Sequence, residues 1–147
     1  MVINTKYFGE MHVADDEKIA FPEPILGFEH SSNYILVRFY DEPDSMFCLQ
    51  SVEMPDSAFV LVDPIYVVEN YTVSLSPDDL KTLQADDDTP LAFYCVAVVH
   101  DDWKDSTINL RCPIAVNPEK RLGKQLIMDK TSYSMRHPIN VGAQEEV

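Results

Sequence analysis

The apolar residues of this chain are broken into short runs. The longest, Leu91 to Val99, has nine residues, and the others are shorter still. A helix that crosses a bilayer needs roughly 20 consecutive apolar residues, so no membrane span is expected. The runs are rich in Val, Ile, Phe and Tyr and are bounded by Pro, Asp, Asn, Ser or Gly, which is the punctuation of β-strands. Strands are predicted at about residues 2–8, 34–40, 46–52, 57–62, 65–73, 91–99, 107–116 and 124–128. Because Leu91 to Val99 is apolar at both parities, both of its faces should be covered, and it is the expected core strand.

One helix is signalled. Ser76 can cap it, Pro77 suits its first turn, and Asp78 and Asp79 favour the positive end of the helix dipole. Leu75 and Leu80 stand at the spacing of a hydrophobic staple, and the helix should end by Ala85, before the solvated turn Asp86-Asp87-Asp88-Thr89-Pro90. With 147 residues, 46% of them hydrophobic, the chain suits one packed domain and no internal repeat is visible. The fold class predicted is mainly β: a single-domain antiparallel β-barrel-like fold with one short helix. It should cover residues 1–139, with 140–147 as a disordered C-terminal tail, because that tail lacks apolar periodicity.

Charge narrows the functional classes. The net charge is −14, from 25 acidic and 11 basic side chains. Recognition of DNA or RNA begins with neutralising phosphates by Lys and Arg, so a strongly acidic surface argues against direct nucleic-acid binding. An anionic membrane is disfavoured for the same reason. The imbalance is local: residues 1–110 hold 21 acidic and 5 basic side chains, whereas residues 111–147 hold 4 and 6. The opening Met-Val-Ile-Asn-Thr-Lys has no basic segment followed by an apolar one, so a secretory signal is not expected and a cytoplasmic location is.

Signatures of chemistry are sparse. Cys48, Cys95 and Cys112 lie far apart in apolar stretches, a pattern of small buried hydrophobes rather than of a disulfide framework or zinc site. His12, His30, His100 and His137 fall in no ligand pair. His100 beside Asp101 and Asp102 reads as a solvated strand end, and Asp86 to Asp88 lacks the alternate spacing of a calcium loop. Four glycines form no phosphate loop or dinucleotide fingerprint, and there is no nucleophile elbow. No catalytic residue, metal or cofactor is therefore assigned. What remains is a surface for another protein, and an acidic β-rich body suits a basic partner.

Four blocks in order carry a family resemblance. They are Asn4-Thr5-Lys6-Tyr7-Phe8-Gly9; Phe47 to Phe59, closing at Asp63-Pro64; Asn109 to Asn117, continuing through Arg121, Gly123 and Gln125; and Tyr133 to Ile139. Together they resemble the FliW flagellar assembly factors over residues 3–139. There are departures: Pro24-Ile25-Leu26-Gly27-Phe28 stands where the family usually has Gly-Ile-Pro-Gly-Phe, so the turn there lacks proline's fixed φ, and Cys112 stands where Ala is common. The resemblance implies a non-enzymatic partner-switch protein. Such proteins bind the RNA-binding translational regulator CsrA, allosterically relieve its repression of flagellin synthesis, and bind flagellin as the competing partner. The amphipathic helices of flagellin's termini call for an apolar groove.

Contact residues are assigned as expectations. Gln50, Ser51 and Glu53, with Asp56, end an apolar strand; they either satisfy backbone at the turn or face a partner. The acidic loops of Asp86, Asp87 and Asp88 and of Asp101 and Asp102 are the expected contacts for a basic partner. Arg121, Lys124, Arg136 and His137 either pair with the acidic body or orient a partner. Asn109 and Asn117 should form turns, Pro113 should mark an edge or bulge where a partner can lie, and Phe28, Phe47, Phe59 and Phe93 should be core. Two other classes stay open: a small β-barrel enzyme or ligand-binding protein, marked by a pocket with Cys95 or His100, and a flagellin-only secretion chaperone.

Overall fold

A computed structural model describes residues 1–39 and 46–139. The expected tail at 140–147 lies outside the described residues. Among the described residues there are eleven strands: β1 (Val2–Asn4), β2 (Glu10–His12), β3 (Ile19–Ala20), β4 (Asn33–Arg38), β5 (Phe47–Ser51), β6 (Ala58–Val62), β7 (Ala92–Val98), β8 (Thr107–Ile108), β9 (Ile114–Asn117), β10 (Leu122–Gln125) and β11 (His137–Pro138). One helix, α1 (Pro77–Leu83), precedes β7.

Seven strands close a ring in the order β7-β6-β5-β4-β3-β10-β9 and back to β7. All pairs in the ring are antiparallel except β3 with β10, which run parallel through a single bridge between Ala20 and Leu122. The β1–β2 hairpin stands apart, and β8 with β11 forms a flap beside the second half of β7. Closure removes most exposed sheet edge, which otherwise invites pairing with other chains. The predicted mainly β barrel with one helix is the fold observed.

Period-2 alternation sorts the side chains. Tyr34, Phe47, Leu49, Leu61, Ile114 and Val116 point into the barrel, joined by Phe21, Ile19 and Ile25, with Phe28 and Phe59 against them. Outward residues are covered by three separate patches. Ile35 packs under the β1–β2 hairpin with Ile3 and Val13. Leu83 of α1 covers Ala115 and Leu126, with Phe93 alongside. Cys95 lies with Ile108 and Leu110 beneath Val67, Val68 and Tyr71. All three cysteines are buried, as expected for small apolar side chains.

Strand β7 is covered on both faces for part of its length: Tyr94 and Val96 turn inward, while Phe93 and Cys95 turn to the outer patches. Its end differs from the expectation of full coverage, since Val98 and Val99 are about half exposed where the outer layers stop.

Three expected strands are altered. The segment 65–73 is not a strand: Asp63 accepts from the Ile65 N–H at 3.1 Å and Pro64 opens a 3-10 turn, after which the apolar side chains bury against the barrel instead of pairing in it. The run 107–116 is cut in two, because the Asn109 carboxamide accepts from the N–H groups of both Arg111 and Cys112 at 3.1 Å. The run 2–8 stops at Asn4, where the Thr5 N–H donates to Gly9 across a tight turn and Gly9 adopts a φ of 68°. Helix α1 follows its signals: Ser76 accepts from the Asp79 N–H, Asp79 accepts from the Ser76 N–H, and Gln84 ends it with a left-handed φ of 52°.

Candidate protein-interaction surface

The polar residues of the central motif are held by the fold. Gln50 is fully buried, its Oε1 accepting from the Lys6 N–H at 2.9 Å and its Nε2 donating to the carbonyls of Ser51 and Pro55 at 2.9 and 3.1 Å. It ties the N-terminal loop to the β5–β6 turn. Ser51 is equally buried, paired with Ser31 at 2.7 Å and accepting from the Met54 N–H. Glu53 is an exposed staple: its carboxylate accepts from the backbone N–H groups of Ser32 and Asn33 and from the Asn33 side chain. Partial burial pushes that carboxyl up, but the bonds from Asn33 and Ser32 outweigh it and leave the group below its ordinary value. Of this segment, Asp56 is the exposed acidic side chain that bonds to no other described residue.

The antiparallel register places the acidic loops at opposite ends. Val60 pairs with Ala97, so Asp56 before β6 and Asp101 and Asp102 after β7 share one end of the barrel. Asp86, Asp87 and Asp88 precede β7 and stand at the other. The length of β7, seven residues, separates them by roughly 20 Å. One partner face would have to span the barrel to touch both. Asp86 also organises its own turn, accepting from the Thr89 hydroxyl and the Asp88 N–H, which hold its carboxyl below the ordinary range.

The basic side chains divide similarly. Lys124 is mostly buried and sits 2.7 Å from Asp79 and 3.3 Å from Glu23. Burial pushes its ammonium down, but Asp79 and Glu23 outweigh this and raise it. Arg121 donates to the Glu17 carbonyl at 2.6 Å. Lys124 thus pairs with two acidic side chains, whereas Arg121 bonds to a backbone carbonyl. Arg136 is exposed, and His137 lies half-buried on the flap strand β11, paired with Ile108 beside the Asp101 end. Pro113 corrects an expectation: it is buried inside the closed ring, its carbonyl accepting from the Leu126 N–H, and offers no edge to a partner. Asn117, also fully buried, donates to the Leu83 carbonyl at 2.7 Å and so satisfies the end of α1.

One concavity was not visible in the sequence. A groove of about 1000 Å³ runs between Pro24 and Leu26 on one side and Ser74 to Asp79 on the other, over a floor from Lys124 to Tyr133. Its rim carries Leu26, 77% exposed, and Ile127, 62% exposed. The departure at Pro24 to Phe28 makes one wall. The Phe28 N–H bonds back to Ile25, Gly27 takes a φ of 89°, and Leu26 at the turn's second position donates its N–H to the Gln125 side chain at 3.1 Å. The turn is thus closed without the family's proline. The signal in the sequence was the departure at Pro24 and Leu26 from the family's usual Gly and Pro.

Cys95 and His100 do not form a reactive pair. Burial is the main reason the Cys95 thiol is pushed up to about 12, which suppresses its thiolate, and His100 is exposed beyond the end of β7. Among the described residues, no three His, Cys, Asp or Glu side chains group to hold a metal ion, and no helix is long and apolar enough to cross a membrane.

Comparison with known proteins places this geometry. The profile of the FliW protein family matches residues 2–139. The flagellar assembly factor FliW of Thermoanaerobacter pseudethanolicus is 36% identical over 139 residues, covering 95% of this chain and 93% of the relative. That of Geobacillus kaustophilus is 35% identical over 137 residues, covering 93% and 94%. A solved crystal structure of the flagellar assembly factor FliW superposes with a TM-score of 0.88 at 33% identity, over 95% of this chain and 96% of that one. A match that runs from the first hairpin to β11, in sequence and in three dimensions, means that the chain belongs to the FliW family of flagellar assembly factors.

Proposed function

We propose that this protein binds CsrA in the cytoplasm and relieves its repression of flagellin synthesis, with flagellin as the competing partner. The observation that carries this reading is the family match over residues 2–139. The charge supports it: a protein that holds RNA phosphates carries basic surface, and a body of −14 attracts such a partner while repelling RNA itself. The exposed Asp56, Asp101 and Asp102 at one end, Asp86, Asp87 and Asp88 at the other, and Arg136 with the half-buried His137 on the flap are the groups we assign to contact. Gln50 and Ser51 from inside, and Glu53 from the surface, support that contact face by holding the β5–β6 turn.

Titration calorimetry with purified CsrA, repeated from low to high salt, tests this. Binding that weakens as salt rises is expected, and absence of binding at low salt refutes the assignment. Adding flagellin should displace CsrA; flagellin binding without CsrA binding would make the protein a flagellin chaperone alone. Charge reversal at Asp101 and Asp102, and separately at Asp86 to Asp88, locates the contact. The reversal at the contacting end should slow association severalfold, whereas unchanged affinity in both moves the interface elsewhere.

A further inference from the structure

We infer that the groove beside β10 accepts an extended, basic peptide segment of a partner, which adds to the barrel as a strand along Gln125 and Ile127. The backbone carries the argument. Beyond the end of β10 the ladder continues: the Leu126 N–H donates to Pro113 and the Met128 N–H donates to Arg111, at 2.8 and 3.0 Å. In an antiparallel ladder the intervening residues turn their N–H and C=O groups to the opposite edge. For Gln125 and Ile127 that edge is the groove. Strand β3 covers β10 only at Leu122, and the Leu26 N–H engages the Gln125 side chain rather than its backbone. Among the described residues, nothing bonds the N–H or C=O of Ile127.

The ring therefore has a gap in its hydrogen bonding at the point where the surface is also concave and carries the exposed apolar side chains Leu26 and Ile127. An open strand edge is a template for a further strand, whereas a helix, whose backbone groups are already satisfied, gains nothing from it. Ile127 and Leu26, both largely exposed, offer contacts to alternate side chains of the incoming strand. Charge selects its composition. Lys124 is shared between Glu23 and Asp79, so two carboxylates on the wall are matched by one ammonium, and Asp129 offsets Lys130 on the floor. The wall keeps a net negative charge within a strongly acidic chain, which favours lysine or arginine over acidic residues in the occupant.

The inference rests on the reading of this chain as a protein-binding scaffold, and its test uses neither CsrA nor flagellin, so the two stand or fall separately. The probe is a synthetic peptide of alternating lysine and valine, about seven residues long, enough for one strand. Amide hydrogen exchange by NMR on the full chain is expected to show Met128 protected and Ile127 unprotected when free, with Ile127 gaining at least tenfold protection in the presence of peptide. The same peptide with alternate backbone nitrogens methylated should bind at least tenfold more weakly, and its glutamate counterpart at least fivefold more weakly. Lack of saturable protection at Ile127, or equal binding of the methylated peptide, overturns strand addition. Equal binding of the glutamate peptide overturns the charge assignment.

Discussion

Gly123 on β10 and Phe21 after β3 offer a quantitative test of how the barrel closes at its one parallel seam. A methyl group at Gly123 would stand 2.4 Å from the Phe21 Cζ, 2.6 Å from its Cε1 and 2.9 Å from its Cε2. The ring cannot retreat freely: Phe21 is 2% exposed and packs edge-on against Tyr34 at 5.1 Å between centroids. Overpacking of this kind costs about 1–3 kcal/mol. For a domain of this size that lowers the melting temperature by roughly 3–5 °C per kcal/mol. Gly123→Ala should therefore melt several degrees early. Phe21→Leu removes the clashing ring atoms and costs ~2 kcal/mol of lost burial by itself. Combined, the two changes should be less destabilising than their sum, by about 1–2 kcal/mol of coupling. Urea unfolding of the four proteins supplies the cycle. If Gly123→Ala lies within ~0.5 kcal/mol of the parent, the typical scatter of neutral substitutions, or the pair is additive, the packing argument fails.

Three further outcomes are expected. Gln50→Leu leaves the Lys6 N–H and the Pro55 carbonyl without their partner, at a cost of about 2–4 kcal/mol in urea unfolding; a neutral result would show that Gln50 does not anchor the N-terminal loop. The Glu53 carboxyl lies below its ordinary 4.5 in the folded chain, so its contribution is fully present above that pH and is lost as pH falls through the folded value. The stability difference between the parent and Glu53→Gln, measured from pH 7 to pH 3, should shrink below pH 4.5, and a constant difference refutes the staple. Burial pushes the Cys48 thiol up to about 11 and Cys95 to about 12, so a thiol reagent at pH 8 should label the native chain far more slowly than the urea-unfolded one; comparable rates would contradict their burial.

Local physics made much of this protein legible in its residues. Strands β4, β5, β6 and β7 announce themselves because each is a run of Val, Ile, Leu, Phe or Tyr long enough to show its period, and α1 because Ser76, Pro77 and Asp79 are consecutive signals for one helix start. The ordered motif blocks identified the family. The acidic balance, and with it the argument against direct nucleic-acid binding, needs no coordinates because charge adds along the chain whatever its fold.

Only the tertiary structure could decide the rest. Strands of two or three residues, such as β3 and β11, have no readable period and exist because a neighbouring strand supplies their hydrogen bonds. The run 65–73 has the composition of a strand but is a covering loop, turned by Asp63 and Pro64 and packed over the apolar side chains of Cys95, Ile108 and Leu110. Gln50 and Asp56, a few residues apart and both polar, have opposite fates because one meets the Lys6 backbone and the other, charged, faces water. The groove at Leu26 and Ile127 joins positions about a hundred residues apart, and its open edge depends on where β3 leaves β10. Composition and period are properties of neighbours in sequence, whereas an unsatisfied backbone edge is a property of which strand comes to lie beside which.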